Sequence, residues 1–329
     1  MLSKDIGIDL GTANVLIYIK GQGIVLNEPS VVAIDTESKN ILAVGEEAHE
    51  MLGRTPGKVS SIRPLKDGVI ADFDLTKEML NHFIKKINAK GLITKPRILI
   101  CCPSNITSVE KSAIREAAEA TGARRVYVEE EPKVAAIGAG LDISKPSASM
   151  VIDIGGGTTD IALLSLGDIV TSKSIKVAGD LFDQEIINYV KDKYKLLIGE
   201  RTAEDVKIKI GTVYDENNKK EKQEIRGRDL ITGLPNTISI SSKEVQDALK
   251  DSVNKIVLSA KNVLEETSPE LSADIVNNGI VVTGGGALLR GIDKLLHQEL
   301  KVPITVAQSP LTCVAEGTAI MLDNVKKID

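Results

Sequence analysis

The sequence predicts an α/β protein built from two similar domains, and three observations support this fold class. Segments with strand periodicity alternate with amphipathic helical segments, which is typical of a mostly parallel sheet covered by helices. A glycine-containing hairpin pattern near the N-terminus recurs about halfway along the chain. The length of 329 residues is sufficient for two domains that each bury a core of their own.

The first half begins with a predicted β-hairpin, Ile6–Lys20, whose apolar alternation is interrupted by a turn at Gly11–Asn14. Farther along, apolar runs predict strands, and an apolar stripe predicts a helix over Asp74–Asn88. The strand-like runs are Ser30–Ile34, Ile41–Val44 and Arg97–Cys102. Proline lacks the N–H group that a sheet ladder uses, so Pro103 ends the last run.

A helix over Thr107–Thr121 is predicted from both of its ends. Its first residue and Glu110 have the spacing of a capping box, and Gly122 is the residue type that stops a helix. A strand at Arg125–Val128 and a helix that starts at Pro132 complete the alternation of the first half.

The second half begins with another predicted hairpin, Ser149–Leu166, around the turn Gly155–Thr159. Residues of the two hairpins match at a constant offset: Asp9 with Asp153, Gly11 with Gly155, and Ile17 with Ile161. We interpret this match as an internal duplication, in which two similar domains face each other.

Three further features are predicted in the second half. Asn217–Gly227 is charged and aperiodic, which indicates an exposed hairpin or loop in a peripheral subdomain. Ser241 and Glu244 form a capping box before a helix that runs to about Glu266. A strand at Gly279–Thr283 then leads into a third glycine-rich turn.

The composition argues against some classes of function. A net charge of −5 and an aromatic content of 2% do not favour nucleic-acid binding, which uses basic faces and stacking aromatics. Cys101, Cys102 and Cys313 are typical of reduced thiols that pack in a cytosolic protein. No apolar run approaches the ~20 residues of a membrane span. A strand pattern begins by Ile6, so we expect a cytoplasmic protein without a signal peptide.

The glycine-rich turns indicate a nucleotide. A turn without side chains lets backbone N–H groups approach phosphate oxygens, and each of these turns follows an apolar strand. The turns lie at Gly11, Gly155–Gly157 and Gly284–Gly286. The sequence contains no P-loop pattern, and no G-x-G-x-x-G follows a strand. We therefore expect a nucleotide between the two domains, with its phosphates held by the paired hairpins.

Carboxylates near these turns have two interpretations each. Asp9 and Asp153 suit Mg²⁺ beside a triphosphate, because this ion takes oxygen ligands and keeps several waters. Alternatively, each aspartate caps its own turn. Glu131, beside Pro132, is either a surface acid at a helix start or a carboxylate that, with Thr158, orients the water attacking the γ-phosphate.

Glu204 and Lys207 lie one turn apart on a helix that we expect to open with a capping box at Thr202–Asp205. Such a pair is either a solvated ion pair or a set of ligands for ribose and adenine. The spacing does not distinguish between these two roles.

Two phosphate hairpins, a connecting helix and a third glycine turn resemble the superfamily of actins, heat-shock chaperones and sugar kinases. Over essentially its whole length the chain is more similar to the MreB type of bacterial actin. The stretches that carry this resemblance are D-L-G-T-A-N at 9–14, N-E-P-S-V-V at 27–32, M-L-G-R-T-P-G at 51–57, I-R-P-L-K-D-G-V-I-A-D-F at 62–73, E-E-P at 130–132, D-I-G-G-G-T-T at 153–159 and V-T-G-G-G-A-L-L at 282–289. The middle stretches are the more specific ones, because nucleotide chemistry alone does not require them.

The resemblance implies an ATPase that binds ATP or ADP with Mg²⁺, and it implies a role for each site residue. Phosphate contacts fall on Gly11, Thr12, Ala13, Asn14, Gly155, Gly156, Gly157 and Thr158. Glu131 and Thr158 become the pair that positions the hydrolytic water. Glu204 and Lys207 join the nucleoside pocket, with Gly284, Gly285, Gly286 and Ala287 on its adenosine side.

The resemblance also implies an actin-like fold with four subdomains around a central nucleotide cleft. The expected limits are 1–30, 62–145 and 312–329 for subdomain IA, 31–61 for IB, 146–177 and 242–311 for IIA, and 178–241 for IIB.

Members of this family form ATP-dependent, antiparallel paired protofilaments on the inner membrane surface and act in cell shape. The implied partners are therefore further copies of the chain, the membrane surface and cell-shape or membrane-linked proteins, and no nucleic acid is implied. The helix Thr107–Thr121 lies where two protofilaments would meet. Leu92 and Ile93, flanked by Lys90 and Lys95, are either a membrane-inserting loop or a core contact.

A small-molecule kinase for a sugar or carboxylate is the alternative function within the same superfamily. Such an enzyme needs a base near an acceptor pocket. The stretch Leu75–Asn105 offers no obvious pocket residues, and Glu131 suits water better than a sugar hydroxyl. We therefore expect a polymer-forming ATPase.

Overall fold

The computed structural model describes residues 5–54, 57–88, 96–104, 106–214 and 221–325. The strands are β1 (Ile6–Leu10), β2 (Asn14–Ile19), β3 (Gly23–Pro29), β4 (Val32–Asp35), β5 (Ile41–Val44), β6 (Val59–Ile62), β7 (Leu65–Lys66), β8 (Val69–Ile70), β9 (Arg97–Cys102), β10 (Arg125–Glu130), β11 (Ser149–Ile154), β12 (Thr159–Ser165), β13 (Asp168–Ile175), β14 (Leu196–Leu197), β15 (Lys222–Asp229), β16 (Pro235–Ser241), β17 (Ile280–Thr283) and β18 (Ile304–Val306). The helices are α1 (Glu46–Glu50), α2 (Phe73–Asn88), α3 (Ser108–Glu119), α4 (Glu131–Gly138), α5 (Gly179–Tyr194), α6 (Glu200–Ile210), α7 (Ser242–Glu265), α8 (Pro269–Asn278), α9 (Ile292–Leu300) and α10 (Cys313–Val325), with a 3-10 turn at Gly285–Leu288. Leu92 and Ile93 lie outside the described residues.

Two five-stranded sheets have the same topology. Their strand orders are β3-β2-β1-β9-β10 and β13-β12-β11-β17-β18. In both sheets the first three strands are antiparallel neighbours and the last three are parallel. The predicted α/β class and the duplication inferred from the two hairpins are therefore confirmed.

Helices α4 and α10 fill the layer between the two sheets. Residues of β9 alternate between the two faces of the first sheet, so Cys102 packs toward α2 and α3 whereas Cys101 packs toward α4 and α10. From the second sheet, Val151 joins the same central cluster, and its neighbours Met150 and Ile152 join the outer core with α5 and α7. The predicted role of the adjacent cysteines as packing residues is confirmed.

Helices α4 and α10 cross at backbone contact because each carries a glycine at the crossing. A Cβ atom on Gly138 would lie 1.8 Å from the carbonyl oxygen of Cys313, and one on Gly317 would lie 2.1 Å from that of Val134. At the far end of α10, the buried guanidinium of Arg97 donates a bidentate pair of hydrogen bonds to Asp5 and a third, of 3.3 Å, to Leu322 O. The central layer is thus fixed at both ends.

Two smaller three-stranded sheets, β5-β4-β6 and β14-β15-β16, extend from the two halves. The first packs on α1, through a small apolar cluster that includes Val31 and Ala48. The second packs on α6. Of the segment Asn217–Gly227, predicted as an exposed hairpin or loop, residues 222–227 lie in β15 of the β15–β16 hairpin, and residues 217–220 lie outside the described residues. Within the described ranges, no helix is both long and apolar enough to cross a membrane.

Helix ends test the capping arguments directly. Thr107 and Glu110 form the predicted capping box of α3, and Ser241 and Glu244 form that of α7. The capping box predicted at Thr202–Asp205 is wrong, because α6 begins at Glu200 after Gly199 and Thr202 is already inside the helix. A capping side chain acts from an extended residue that precedes the first turn, and Gly199 occupies that position.

Candidate functional site

The glycine turns that follow β1 and β11 touch each other across the space between the two sheets. A Cβ atom on Gly156 would lie 2.6 Å from the Cβ of Ala13, and one on Gly157 would lie 2.8 Å from the hydroxyl oxygen of Thr12. Only glycine fits at both positions. The duplicated hairpins therefore face each other, as the sequence match predicted.

Short hydrogen bonds hold each turn in place. Ser30 fixes the first turn, since its hydroxyl donates to Gly11 O over 2.7 Å and its N–H donates to Ala13 O over 2.8 Å. The second turn is fixed by the first residues of α5: the N–H groups of Gly179 and Asp180 donate to Gly155 O and Gly156 O over 3.1 and 2.8 Å. The positive end of the α5 dipole consequently lies beside the second turn.

Asp9 and Asp153 lie at the buried ends of β1 and β11, with only 8% and 6% of their surfaces exposed. Burial raises the pKa of Asp9 to about 7. Burial, together with the charges of Asp160 and Asp9, raises the pKa of Asp153 to about 8. Asp9 Oδ1 has no hydrogen-bond partner among the described residues. Two buried carboxylates, one of them with a spare oxygen, fit a divalent cation that keeps several of its waters, although the described residues contain no group of three or more side chains that could hold a metal ion directly.

Glu131 is the first residue of α4 and is half-buried. Its pKa is raised first by desolvation and then by the charges of Asp9 and Asp153, so it belongs to the same cluster. Thr158, at the end of the second turn, is buried next to Asp160. Burial raises the pKa of Asp160, and the hydrogen bond from the hydroxyl of Thr158 acts in the opposite direction. The structure thus brings the two predicted catalytic residues to the region of the paired turns.

The short β7–β8 hairpin also reaches this region, and the sequence analysis missed it. Gly68 has a φ of +72°, and a Cβ atom there would lie 2.4 Å from the methyl carbon of Thr158. The sequence singles out the stretch 62–73 only for its resemblance to the family, and this contact places part of it against the second glycine turn. The Asp67-Gly68 pair signals a tight hairpin turn, but no sequence pattern shows what the turn packs against.

The third glycine turn packs against the end of β11. A Cβ atom on Gly284 would lie 2.4 Å from Asp153 Oδ1, and one on Gly286 would lie 2.2 Å from the Cγ2 of Ile154. Beside this turn, the side chains of Leu288 and Leu311 are 56% and 55% exposed. No sequence pattern distinguishes these two exposed leucines from core residues, because apolar residues are most often buried.

Lys207 lies next to the second turn, but its partner is not Glu204. Its ammonium nitrogen is 2.7 Å from Asp183 Oδ2 and donates to Gly179 O over 3.1 Å. Burial raises the pKa of Asp183 to about 7, although the charge of Lys207 acts in the opposite direction. Of the two interpretations left open for Glu204 and Lys207, the ion pair between them is absent among the described contacts, and Lys207 instead forms one that joins α6 to α5.

The arrangement as a whole combines two chemical capacities. Backbone turns free of side chains and a helix N-terminus suit phosphate oxygens, and the carboxylates of Asp9 and Asp153 suit a metal ion. Two duplicated α/β halves around such a site define an actin-like protein, and comparisons with known proteins agree with that class.

The sequence model of the family described as MreB/Mbl protein matches residues 3–329. The chain is 66% identical over 328 residues to the cell shape-determining protein Mbl of Bacillus subtilis (strain 168), covering 100% of this chain and 98% of that protein. It is 51% identical over 330 residues to the cell shape-determining protein MreB of Escherichia coli (strain K12), covering 99% and 95%. The chain belongs to the MreB/Mbl family, and the resemblance drawn from its motifs is confirmed.

Solved structures support the same fold. The crystal structure of MreB5 of Spiroplasma citri bound to ADP matches with a TM-score of 0.94 and 44% identity, covering 99% of this chain and 98% of that one. A MamK double helical filament matches with a TM-score of 0.83 over 98% and 99% of the two chains. At 22% identity, the latter shows the fold alone.

Proposed function

We propose that this chain is a cytoskeletal ATPase that binds ATP and Mg²⁺ between its two halves and polymerises in an ATP-dependent way. The observation that carries the proposal is the direct contact between two glycine turns that each follow a buried aspartate. A nucleotide that engages both turns ties the two halves together. Two of the named relatives are cell shape-determining proteins, which supports a role in cell shape.

The phosphates are assigned to the two turns, Gly11–Asn14 and Gly155–Thr158. Side chains at Gly156 and Gly157 would collide with the opposite turn, and glycine at both positions keeps side chains out of the space beside the two turns. Asp9 and Asp153 would hold Mg²⁺ through its waters, and the unpaired Oδ1 of Asp9 fits this role. Bound Mg²⁺ supplies positive charge that offsets the charge of the phosphate oxygens.

Hydrolysis is assigned to Glu131 and Thr158. The carboxylate of Glu131 accepts a hydrogen bond from the attacking water, and the hydroxyl of Thr158 orients it. The water oxygen forms a bond to the γ-phosphorus while the bond to the ADP oxygen breaks, and the products are ADP and inorganic phosphate, which takes up the proton that the water loses. Glu131 suits this role because it lies close enough to Asp9 and Asp153 for their charges to raise its pKa.

The nucleoside pocket is assigned to α6 and the third glycine turn. Glu204 and Lys207 form one wall, and Gly284–Ala287 form the other, with Leu288 and Leu311 as apolar surface for the base. Related structures from Spiroplasma citri, described as bound to ADP and to AMPPNP, support the choice of an adenine nucleotide. The four subdomain limits given above remain part of this proposal.

Self-association in antiparallel pairs, contact with the membrane surface and binding of cell-shape proteins complete the proposal. Val109 lies on α3, the helix that the resemblance places between two protofilaments, and with 76% of its surface exposed it is available for contact with another copy.

High-speed sedimentation with and without ATP and Mg²⁺, followed by electron microscopy of the pellet, tests the assembly directly. Paired filaments that need ATP are the expected result. Protein that stays in the supernatant at every concentration and salt, yet phosphorylates a sugar or carboxylate, would establish the kinase alternative instead. Sedimentation with liposomes tests the membrane contact in the same preparation.

A further inference from the structure

The two walls assigned to the nucleoside pocket come from distant parts of the sequence. Helix α6 ends at Ile210, whereas the 3-10 turn of the other wall begins at Gly285. The segments that follow these two elements, 211–214 and 289–291, lie against each other. The position of one wall relative to the other therefore depends on the contacts between these segments.

Arg290 makes most of these contacts. Its Nε donates to Gly211 O over 3.1 Å, and its carbonyl oxygen accepts the N–H of Val213 over 2.9 Å. Thr212 pairs with Arg290 in an isolated parallel β-bridge. The Nη1 of Arg290 also lies 2.8 Å from the carboxylate of Glu221. We call this set of contacts the Arg290 bridge.

The chain packs tightly around the Arg290 bridge. Gly291 has a φ of +80°, and a Cβ atom there would lie 2.5 Å from Tyr214 O. A Cβ atom on Gly211 would lie 3.0 Å from the side chain of Leu289. From the other side, Gln246 of α7 donates to Val213 O over 3.1 Å. The bridge thus joins α6 to a fixed part of the second half.

The bond to Gly211 is the important one within the bridge. Gly211 is the C-cap residue directly after α6, and the last carbonyls of a helix, including that of its C-cap residue, lack partners inside that helix. A guanidinium at this end satisfies one such carbonyl and also interacts favourably with the helix dipole. The ion pair with Glu221 is more than two-fifths exposed on both sides, and pairs of that kind contribute little.

We propose that Arg290 is a positioning residue for the nucleoside pocket, which sets the distance between α6 and the third glycine turn through its bond to Gly211. This inference rests on the proposed nucleotide site. Base and ribose are common to ATP and ADP, so loss of the side-chain bond to Gly211 weakens the binding of both nucleotides by the same factor. The step at the γ-phosphate is left unchanged, because Glu131 and Thr158 lie on other elements.

The test compares Arg290→Met, which removes both side-chain bonds but keeps an apolar stem, with Glu221→Gln, which removes only the exposed ion pair. Affinities for methylanthraniloyl-ATP and methylanthraniloyl-ADP are measured by fluorescence below the concentration at which the protein assembles. Single-turnover phosphate release is measured at saturating ATP. Thermal unfolding followed by circular dichroism shows whether each variant is folded.

We expect Arg290→Met to raise the dissociation constants of both nucleotides about tenfold, with phosphate release within twofold of wild type. Glu221→Gln should have dissociation constants within twofold of wild type. Arg290→Lys reaches only one acceptor, so its dissociation constants should lie between those of Glu221→Gln and Arg290→Met. If Arg290→Met does not fold, the same measurements of nucleotide affinity and phosphate release on Arg290→Lys provide the test. Affinities within twofold of wild type for the folded arginine variant, or a loss confined to phosphate release, would overturn the inference. Wild-type protein that binds neither nucleotide would instead overturn the proposed function itself.

Discussion

At the scale of single residues, the carboxylate cluster makes Glu131 the most direct test of the proposed chemistry. Glu131→Gln keeps the shape of the side chain but replaces one of the carboxyl oxygens that can accept the hydrogen bond of the water with an amide nitrogen that cannot. We expect hydrolysis to fall by about 10²-fold or more while ATP affinity stays within a few-fold. Phosphate release and fluorescent-nucleotide binding provide the two measurements.

Glu129→Gln is the matched control, because Glu129 lies two residues earlier at the end of β10. This variant should hydrolyse ATP at the wild-type rate. Equal rates for wild type and Glu131→Gln would remove Glu131 from the mechanism.

Gly68 offers a second test at this scale, because its contact with Thr158 can be separated from its backbone strain. Gly68→Ala places a methyl group against the methyl carbon of Thr158, whereas Gly21→Ala, at a φ of +80°, meets no atom within 4 Å among the described residues. Both changes should lower the free energy of unfolding by about 1 kcal/mol. Only Gly68→Ala should also slow hydrolysis several-fold. Denaturation and phosphate-release assays on both variants measure these two effects. Equal hydrolysis rates for the two variants would contradict the prediction.

The two glycine turns and their contact were predictable because the hairpins that carry them match at a constant offset, whereas their role in binding phosphate stays a prediction. Lys207 illustrates the limit: its spacing from Glu204 indicates a pair on one helix, but the structure pairs it with Asp183, which lies on a different helix. Gly68, Leu288 and Leu311 were not predictable for the same reason, since their neighbours come from distant segments.

At the scale of elements, the capping box of α7 predicts a pH-dependent stability. Glu244 accepts hydrogen bonds from Ser241 and lies 2.8 Å from the ammonium of Lys193. Although burial acts against it, these partners lower the pKa of Glu244 to about 2. A pKa below the usual 4.5 means that the stabilisation is complete above pH 4.5 and is lost as the pH falls toward 2.

We therefore expect Glu244→Gln to lower the free energy of unfolding by about 1–2 kcal/mol at pH 7, with a smaller difference from wild type at pH 4. Urea denaturation at the two pH values measures both quantities. Glu270→Gln, in the exposed first turn of α8, is the control and should leave stability within about 0.5 kcal/mol. A difference that grows as the pH falls would contradict this assignment.

Elements were predicted well where both of their ends carry a local signal. Helix α3 has a capping box at one end and Gly122 just after the other, and strand β9 ends before Pro103. Helix α6 was misplaced at its start because Gly199, which has no capping side chain, took the position that Thr202 seemed to fill. Capping patterns show that a helix can begin at a residue, and tertiary packing decides whether it does.

At the scale of the whole molecule, the crossing of α4 and α10 predicts an unusual response to alanine. Alanine favours a helix over glycine by about 1 kcal/mol, but a methyl group at Gly317 would lie 2.1 Å from Val134 O. We expect Gly317→Ala to lower the free energy of unfolding by about 2 kcal/mol or more, because the contact forces the helices apart. Chemical denaturation measures this loss.

Ile320→Ala, on the more exposed side of the same helix, provides the comparison and should cost less than about 1 kcal/mol. If Gly317→Ala were as stable as wild type or more stable, the close crossing would not be a constraint on the fold.

The same crossing has a mechanical consequence for the two halves. The chain passes between them twice, after α4 and before α10, and the two helices meet there with no side chains to act as spacers. A rotation about the crossing changes the separation of the phosphate turns while leaving this contact intact, whereas a sliding displacement would break it. Because the chain passes between the two halves on either side of this crossing, we expect any change in their relative orientation to occur by rotation near Gly138 and Gly317.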